Sequence, residues 1–471
     1  METVPEFLNR LIQIESHSEL FDFKFNFNGF HFWPLVREKV LRKAINDNFE
    51  FLDPWENFHL PKKSYLKLFY LSWKYSVRRM PEAKLLIFGS DIANVRIGDS
   101  YFNRIADHFA DAFKTDTIQL ERSYLNSYKR PRYYKQVYSW DNIALTSLLF
   151  NKIYRRSKRI TPEVQKFVDY VKENLGYTFR DDYYEKLKIT LSRYEYRLPI
   201  IYHAYSSFFK KKRPQLIILE QGCYGTDSAI IVKAAKDLGI RVAEIQHGYI
   251  GKDHPAYVFS ANISKDYLPY LPDDFLSYGK YWEDNSQLPI SVINIGNPYL
   301  TEYVKNTVQQ KSFNRILYIS SAVNPCKITQ EVLYINDVVK KYGFQLIFRP
   351  HPSEVLRLEN EYLPLSQAGI TIDSQNLYES LARTQFTVSN YSNISTVMYE
   401  ALAFGCKVIF IDDKKEEDIE RQRPGCFTYV QNVEELSSEL VINNDIMTNC
   451  GNIWESDWKD NYIRYVSQYL K

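Results

Sequence analysis

Four polar clusters in this 471-residue chain directly follow short apolar runs, and each holds side chains suited to a particular step of chemistry. In RPHPSE, after LIF, Arg349, His351, Pro352 and Ser353 combine a cation and an imidazole with stiff prolines. Groups held that way fix phosphate oxygens with little entropy loss. In SNYSNISTVMYEALAFG, a strand ends in Ser389, Ser392 and Ser395, and a helix starts near Thr396. Hydroxyls and free amides at a helix N-terminus make an anion site, which suits a nucleotide phosphate. Glu400, one turn on, is placed to accept both ribose hydroxyls, and Ala401, Ala403 and Gly405 let the helix approach the sheet. The third and fourth clusters, LEQGCYGTD and EIQHGYIGKDHP, carry Glu220, Tyr224, Asp227, Glu244 and His247. Of these, Glu220, His247 and Asp227 are the candidates for taking the proton of an incoming hydroxyl.

Each cluster has a plainer structural reading. His351 fits a satisfied histidine in a proline turn, and Glu400 a surface residue behind an ordinary helix cap. A Glu within a strand and a His beside a glycine turn fit a buried hydrogen-bonded pair.

The elements that must position these residues follow from periodicity. KLLIFGS, PQLIILEQG and IRVAEIQHG are apolar runs of the kind that form buried parallel strands. TDSAIIVKAAKDLG is an amphipathic helix ended by Gly239, completing a βαβ unit. The first eighty residues predict a helical cap. Residues 115 to 210, rich in Tyr, Lys and Arg, predict a helical insertion, with Thr161 capping and Pro162 at the first helical position. The strand pattern restarts at NRILYISSA and continues through FQLIFRPHP, ITIDS, QFTVSN and KVIFIDD, which specifies a second doubly wound domain. The expected domains are 1–295 on the acceptor side, 296–445 for nucleotide binding, and a helical tail, 446–471, packing back across both.

Composition narrows the class. Charged residues at 25% and hydrophobic residues at 45% are those of a globular protein. A net charge of +3 with dispersed basic residues argues against a nucleic-acid partner. Five scattered cysteines without CxxC spacing point to a reducing cytosol, with neither a disulfide framework nor a zinc site. No secretory leader or eighteen-residue apolar run is evident, so membrane association is expected to be peripheral. The basic runs KKKR (Lys210 to Arg213) and RRSKR (Arg155 to Arg159) suit an anionic lipid-linked acceptor or membrane surface, or else solvated helical faces. The 38 tyrosines suit carbohydrate contact, though drift in composition accounts for them equally well.

With these residues in place, residues 214 to 415 resemble GT-B glycosyltransferases of bacterial surface polysaccharide synthesis. The resemblance is to the group of capsule Kdo transferases, bacterial sialyltransferases and CDP-glycerol glycerophosphotransferases. It implies an α/β fold of two Rossmann-like doubly wound domains facing a cleft. It also implies phosphate contacts from His351, Pro352, Ser392, Ser395 and Thr396, with Glu400 gripping the ribose. LEQG resembles the acidic-acidic-Gly motif of the sialyltransferases with Gln221 in the second acidic place, so Glu220 carries over as the base. QHG resembles a motif of the Kdo transferases.

The expected function is transfer of a sugar from a CMP- or UDP-linked donor to a glycan or lipid-linked acceptor at the inner face of the cytoplasmic membrane. No DxD sequence stands in a strand-to-loop context, so no metal or other cofactor is expected. The same fold also suits a glycerophosphotransferase or a nucleotide-sugar epimerase. From another class, a non-catalytic polysaccharide-binding or assembly partner fits.

Overall fold

The computed structural model describes residues 2–26, 29–49, 51, 60–154, 160–179, 182–320, 324–352, 354–390, 395–411, 426–441 and 453–471. The chain divides into two units. One comprises Met1–Asn48, His59–Tyr299 and Trp454–Lys471, the other Phe49–Phe58 and Leu300–Ile453.

Strands of the first unit are β1 (Leu85–Ser90), β2 (Asn94–Ile97), β3 (Ser100–Asn103), β4 (Thr117–Arg122), β5 (Val137–Ser139), β6 (Leu216–Leu219), β7 (Arg241–Ile245), β8 (Asp274–Ser277) and β9 (Ser291–Asn294). Seven form one sheet in the order β5-β4-β1-β6-β7-β8-β9, and β2 and β3 make a separate antiparallel hairpin. Every pairing in the seven-stranded sheet is parallel. Its central strands are uninterrupted apolar runs because helices cover both faces. In β6 all four residues, LIIL, are buried, each contributing roughly 2 kcal/mol of apolar burial.

The predicted strands β1, β6 and β7 are present, and Thr161 and Pro162 begin helix Pro162–Asn174 as expected. The helical insertion predicted for 115 to 210 needs correction, because it opens with β4 and β5. Strand β4 reads TIQLER, a pattern too polar to announce a buried strand, yet five of its six residues are buried. The fold satisfies its polar side chains. Gln119 donates to Asp107 at 2.8 Å, and Glu121 accepts from Asn94 at 2.8 Å and from Arg130 at 2.6 Å. The helices of this region are Asp141–Tyr154, Pro162–Asn174 and Tyr183–Lys212.

Tyrosine abundance has a structural cause here. Buried rings such as Tyr134, Tyr257 and Tyr465 direct their hydroxyls to the Thr117 carbonyl, Glu244 and Asp274, each at 2.7 Å. Helix Trp458–Ser467 joins the same core, with Trp458, Tyr462, Tyr465 and Val466 packed among residues of β1, β6, β7 and β8. Gly296 makes that docking possible, since a Cβ there would lie 2.8 Å from the Glu455 carbonyl.

The second unit contains β10 (Ser312–Ile319), β11 (Gln345–Arg349), β12 (Thr371–Ile372), β13 (Thr384–Asn390), β14 (Lys407–Ile411) and β15 (Thr428–Val430). They form one sheet in the order β12-β11-β10-β13-β14-β15, again with every pairing parallel. Its five predicted strands are present. The sixth, β15, is only three residues long and too short to register as a periodic run.

Both sheets are thus doubly wound α/β sheets of Rossmann type, and in each the strand order reverses once. The reversal falls between β1 and β6 in the first unit and between β10 and β13 in the second. Crevices at the carboxyl ends of strands flanking such reversals are where open parallel sheets bind ligands. Among the described residues, no helix is long and apolar enough to cross a membrane.

Candidate functional site

In the second unit, the reversal brings together Ser320 after β10 and Ser389 and Asn390 at the end of β13. The buried Ser389 hydroxyl donates to the Ile319 carbonyl at 2.8 Å, tying the two strand ends. Asn390 donates to Glu331 at 3.0 Å, and Glu331 also accepts the Tyr318 hydroxyl at 3.0 Å. These bonds hold the strand ends at fixed spacing.

On the adjacent strand β11, Arg349, His351 and Pro352 begin the turn predicted from RPHPSE. Arg349 bonds Asp373 at 2.8 Å and the Gln375 carbonyl at 2.7 Å, so its guanidinium already serves the fold. His351 and Pro352 are exposed. A carboxylate that sequence reasoning passed over holds their turn. Glu354 is fully buried, and it accepts the His351 backbone N–H at 2.7 Å, the Ser320 hydroxyl at 2.9 Å and the Tyr362 hydroxyl. One side chain therefore fixes the His351 turn to the end of β10. The spacing of a Glu three residues after His351, within one turn, is the signal that could have identified it.

Helix Thr396–Ala403 starts where predicted. Ser395 is its N-cap, accepting the Val397 N–H at 3.3 Å. That bond uses one free amide and leaves Thr396 in the first turn, where the helix dipole favours an anion. Glu400 is buried and accepts the Tyr378 hydroxyl at 2.9 Å, so it lies inside the fold rather than on its surface. Ser392 and Ser353 lie outside the described residues, as does the run Arg155 to Arg159.

In the first unit, the reversal places Glu220 at the end of β6, beside the end of β1. Its backbone N–H donates to the Phe88 carbonyl at 3.0 Å. A Cβ on Gly89 would lie 3.5 Å from its carboxylate, so the acid sits over Gly89 within van der Waals reach. Burial pushes the Glu220 carboxyl up to about 7, while a hydrogen bond from the Ser90 backbone and the Arg104 charge oppose the shift. Glu121, paired with Gly89 in the sheet, adds a like charge that raises it further. A carboxyl poised near neutrality at a strand reversal can accept a proton and release it again. Asn103 donates to the Ser90 carbonyl at 3.2 Å, which brings hairpin β2–β3 and Arg104 to the same edge. Sequence reasoning missed Arg104, because the hairpin carries no apolar periodicity.

The other acidic and imidazole candidates have structural partners. Glu244 is buried and pushed up to about 7 by burial. It accepts the Cys223 N–H and the Tyr257 hydroxyl, both at 2.7 Å, and so locks the turn after β6. Asp227 accepts Arg197 at 2.7 Å in a half-buried ion pair. The preceding Thr226 adopts φ +45, unusual for a β-branched residue, and its hydroxyl donates to the Leu35 carbonyl at 2.9 Å. His247 packs its ring 5.6 Å from Tyr224, and burial pushes its imidazole down to about 4. It is therefore neutral at physiological pH. In the run Lys210 to Arg213, Lys212 is buried and donates to the Met80 carbonyl, whereas Lys210, Lys211 and Arg213 are exposed.

A sequence profile described as LIC12162 family transferase matches residues 99–433, well over half of the chain. Comparison with curated proteins gives no match. Among solved structures, the chain is similar to the UDP-GlcNAc 2-epimerase of Methanocaldococcus jannaschii in complex with UDP-GlcNAc and UDP. Identity there is 14% and the TM-score 0.46, over 82% of this chain and 99% of that one. It is also similar to the apo form of the lipopolysaccharide outer core galactosyltransferase WaaB, with 10% identity and a TM-score of 0.43 over 82% and 99% of the two chains. For the wall teichoic acid polymerase TagF soaked with CDPG, the values are 12% and 0.41, over 92% of each chain.

Proposed function

Because the chain belongs to the LIC12162 family of transferases, we propose that it is a cytoplasmic, metal-independent glycosyltransferase of the GT-B class. It moves a sugar from a CMP- or UDP-linked donor to a glycan or lipid-linked acceptor in bacterial surface polysaccharide synthesis. The observation that carries this reading is the strand reversal of the second unit. It collects the Ser395-capped helix, the Glu354-held His351 turn and the bonded ends of β10 and β13 at the edge where Rossmann-type sheets hold nucleotides.

In the proposed reaction, the acceptor oxygen attacks the anomeric carbon and its proton passes to the Glu220 carboxylate. The bond from that carbon to the nucleotide phosphate breaks, and the charge gathering on the phosphate is met by the helix N-terminus at Thr396 and by His351. Glu400 is assigned to the ribose. The positive potential is assigned to that helix N-terminus and to His351, and no metal is invoked.

A thermal-shift screen with CMP, CDP, UDP and GDP, each in EDTA, tests the reading. A nucleotide at about 100 times its Kd stabilises the folded state by about 2.7 kcal/mol, which raises Tm by several degrees. No shift with any of the four, or a shift that appears only after magnesium is added, contradicts the assignment.

A further inference from the structure

Helix Lys62–Lys74, in the first unit, has an outer face that the fold leaves uncovered. Leu66 is 75% exposed, Trp73 62%, Tyr70 59%, Phe69 57% and Tyr65 51%. At 3.6 residues per turn, these five positions form one continuous arc. Leu68, buried, lies on the side turned away from the arc, and Ser72, also buried, adjoins its Tyr65 edge. Lys63, Lys67 and Lys74 border the arc. From Lys62 through Arg79 the sequence holds Lys62, Lys63, Lys67, Lys74, Arg78 and Arg79 and no acidic residue. Arg79 stands over the Trp73 ring at 4.7 Å, so cation and aromatic share the patch.

We infer that this helix lies in the interface of an anionic lipid bilayer, with its aromatic arc in the headgroup region and its lysines against lipid phosphates. Trp and Tyr favour that boundary because their rings are apolar and their tips polar. An apolar arc edged by lysines is the pattern of helices that rest in the membrane plane. The basic flank favours an anionic bilayer over a neutral protein face, which would leave those charges unanswered. The inference goes beyond the proposed transfer reaction and does not depend on it.

The test is sedimentation of the full chain with vesicles of phosphatidylcholine alone and of phosphatidylcholine mixed with phosphatidylglycerol. Binding is expected to the mixed vesicles and to weaken as salt rises from about 0.05 to about 0.5 M. The triple variant L66S/F69S/W73S is expected to lose at least about tenfold in partitioning. K63E/K74E is expected to lose mainly the preference for anionic lipid. All changed side chains are exposed, and unchanged Tm and circular dichroism will establish that the variants are folded. Absence of wild-type binding to anionic vesicles, or equal binding by the folded triple variant, overturns the inference. So does a wild type that self-associates through this helix and ignores vesicles. The assay contains no nucleotide and measures no turnover, so its failure is distinct from failure of the donor assignment.

Discussion

The two strand reversals share a topology and differ in what their carboxylates do. In the second unit, Glu354, Glu331 and Glu400 each accept hydroxyl or amide hydrogen bonds, and Asp373 accepts Arg349. Those acids tie strand ends, a turn and a helix together, and among the described residues the exposed His351 and the start of helix Thr396–Ala403 lie at this edge. In the first unit, Glu220 meets a backbone hydrogen bond over Gly89, and burial beside Glu121 keeps it protonated up to about 7. In the proposed reaction one edge takes the anion and the other the proton. A Rossmann-type sheet therefore fixes where chemistry happens, while the hydrogen-bonding of a few carboxylates fixes which kind.

The most direct way to break this comparison is a pair of variants, one at each edge. Glu220→Gln is expected to lower kcat by about 100- to 10,000-fold and to leave nucleotide affinity intact. His351→Ala is expected to lower nucleotide affinity and also to reduce kcat by about 100-fold, since it meets charge that grows in the transition state. Calorimetry alongside steady-state kinetics separates the two patterns. Equal losses of nucleotide affinity in both variants would erase the distinction between the edges.

A smaller effect is expected from Glu354→Ala, which strips the acceptor from the Ser320 and Tyr362 hydroxyls and the His351 amide. Leaving such groups buried and unpaired costs about 3 kcal/mol after relaxation. Denaturant unfolding should show that loss, with Glu354→Gln retaining part of the stability. Wild-type stability and nucleotide affinity in the alanine variant would mean that the turn holds itself.

The smallest expected effect is on pH dependence, and it isolates Glu220. Its folded value of about 7 lies above the ordinary 4.5, so the native state holds a proton there that the unfolded chain has already released. Its contribution to stability is therefore present at low pH and is lost as pH rises from about 4.5 to about 7. His247, lowered to about 4, works in the opposite direction over an overlapping range, so total stability is a poor readout. The difference between wild type and Glu220→Gln cancels that term. The variant should gain on wild type as pH rises toward 7, by roughly 1 to 3 kcal/mol. Wild-type kcat/KM should rise through an acid limb near pH 7, about tenfold per unit below it. A pH-independent difference would place Glu220 in a more solvated setting.

The sequence alone determined the α/β class, the central strands and the polar clusters that follow them. Runs such as LLIF, LIIL and KVIFI are apolar throughout because both faces of a parallel sheet are covered, and that pattern is local and readable. Ser395 as a helix cap and the RPHP turn were legible for the same reason, since caps and proline turns are made by near neighbours. Tertiary structure decided the rest. Strand β4 hides behind Gln119 and Glu121, whose partners lie up to 27 residues away. Glu220 and Glu244 have the same side chain, and each follows or ends an apolar run. Burial raises both carboxyls to about 7, and packing set one over Gly89 and made the other the acceptor for Cys223 and Tyr257. Periodicity reports which face of an element is buried. Which partners a buried polar group meets depends on residues that the fold brings from distant sequence.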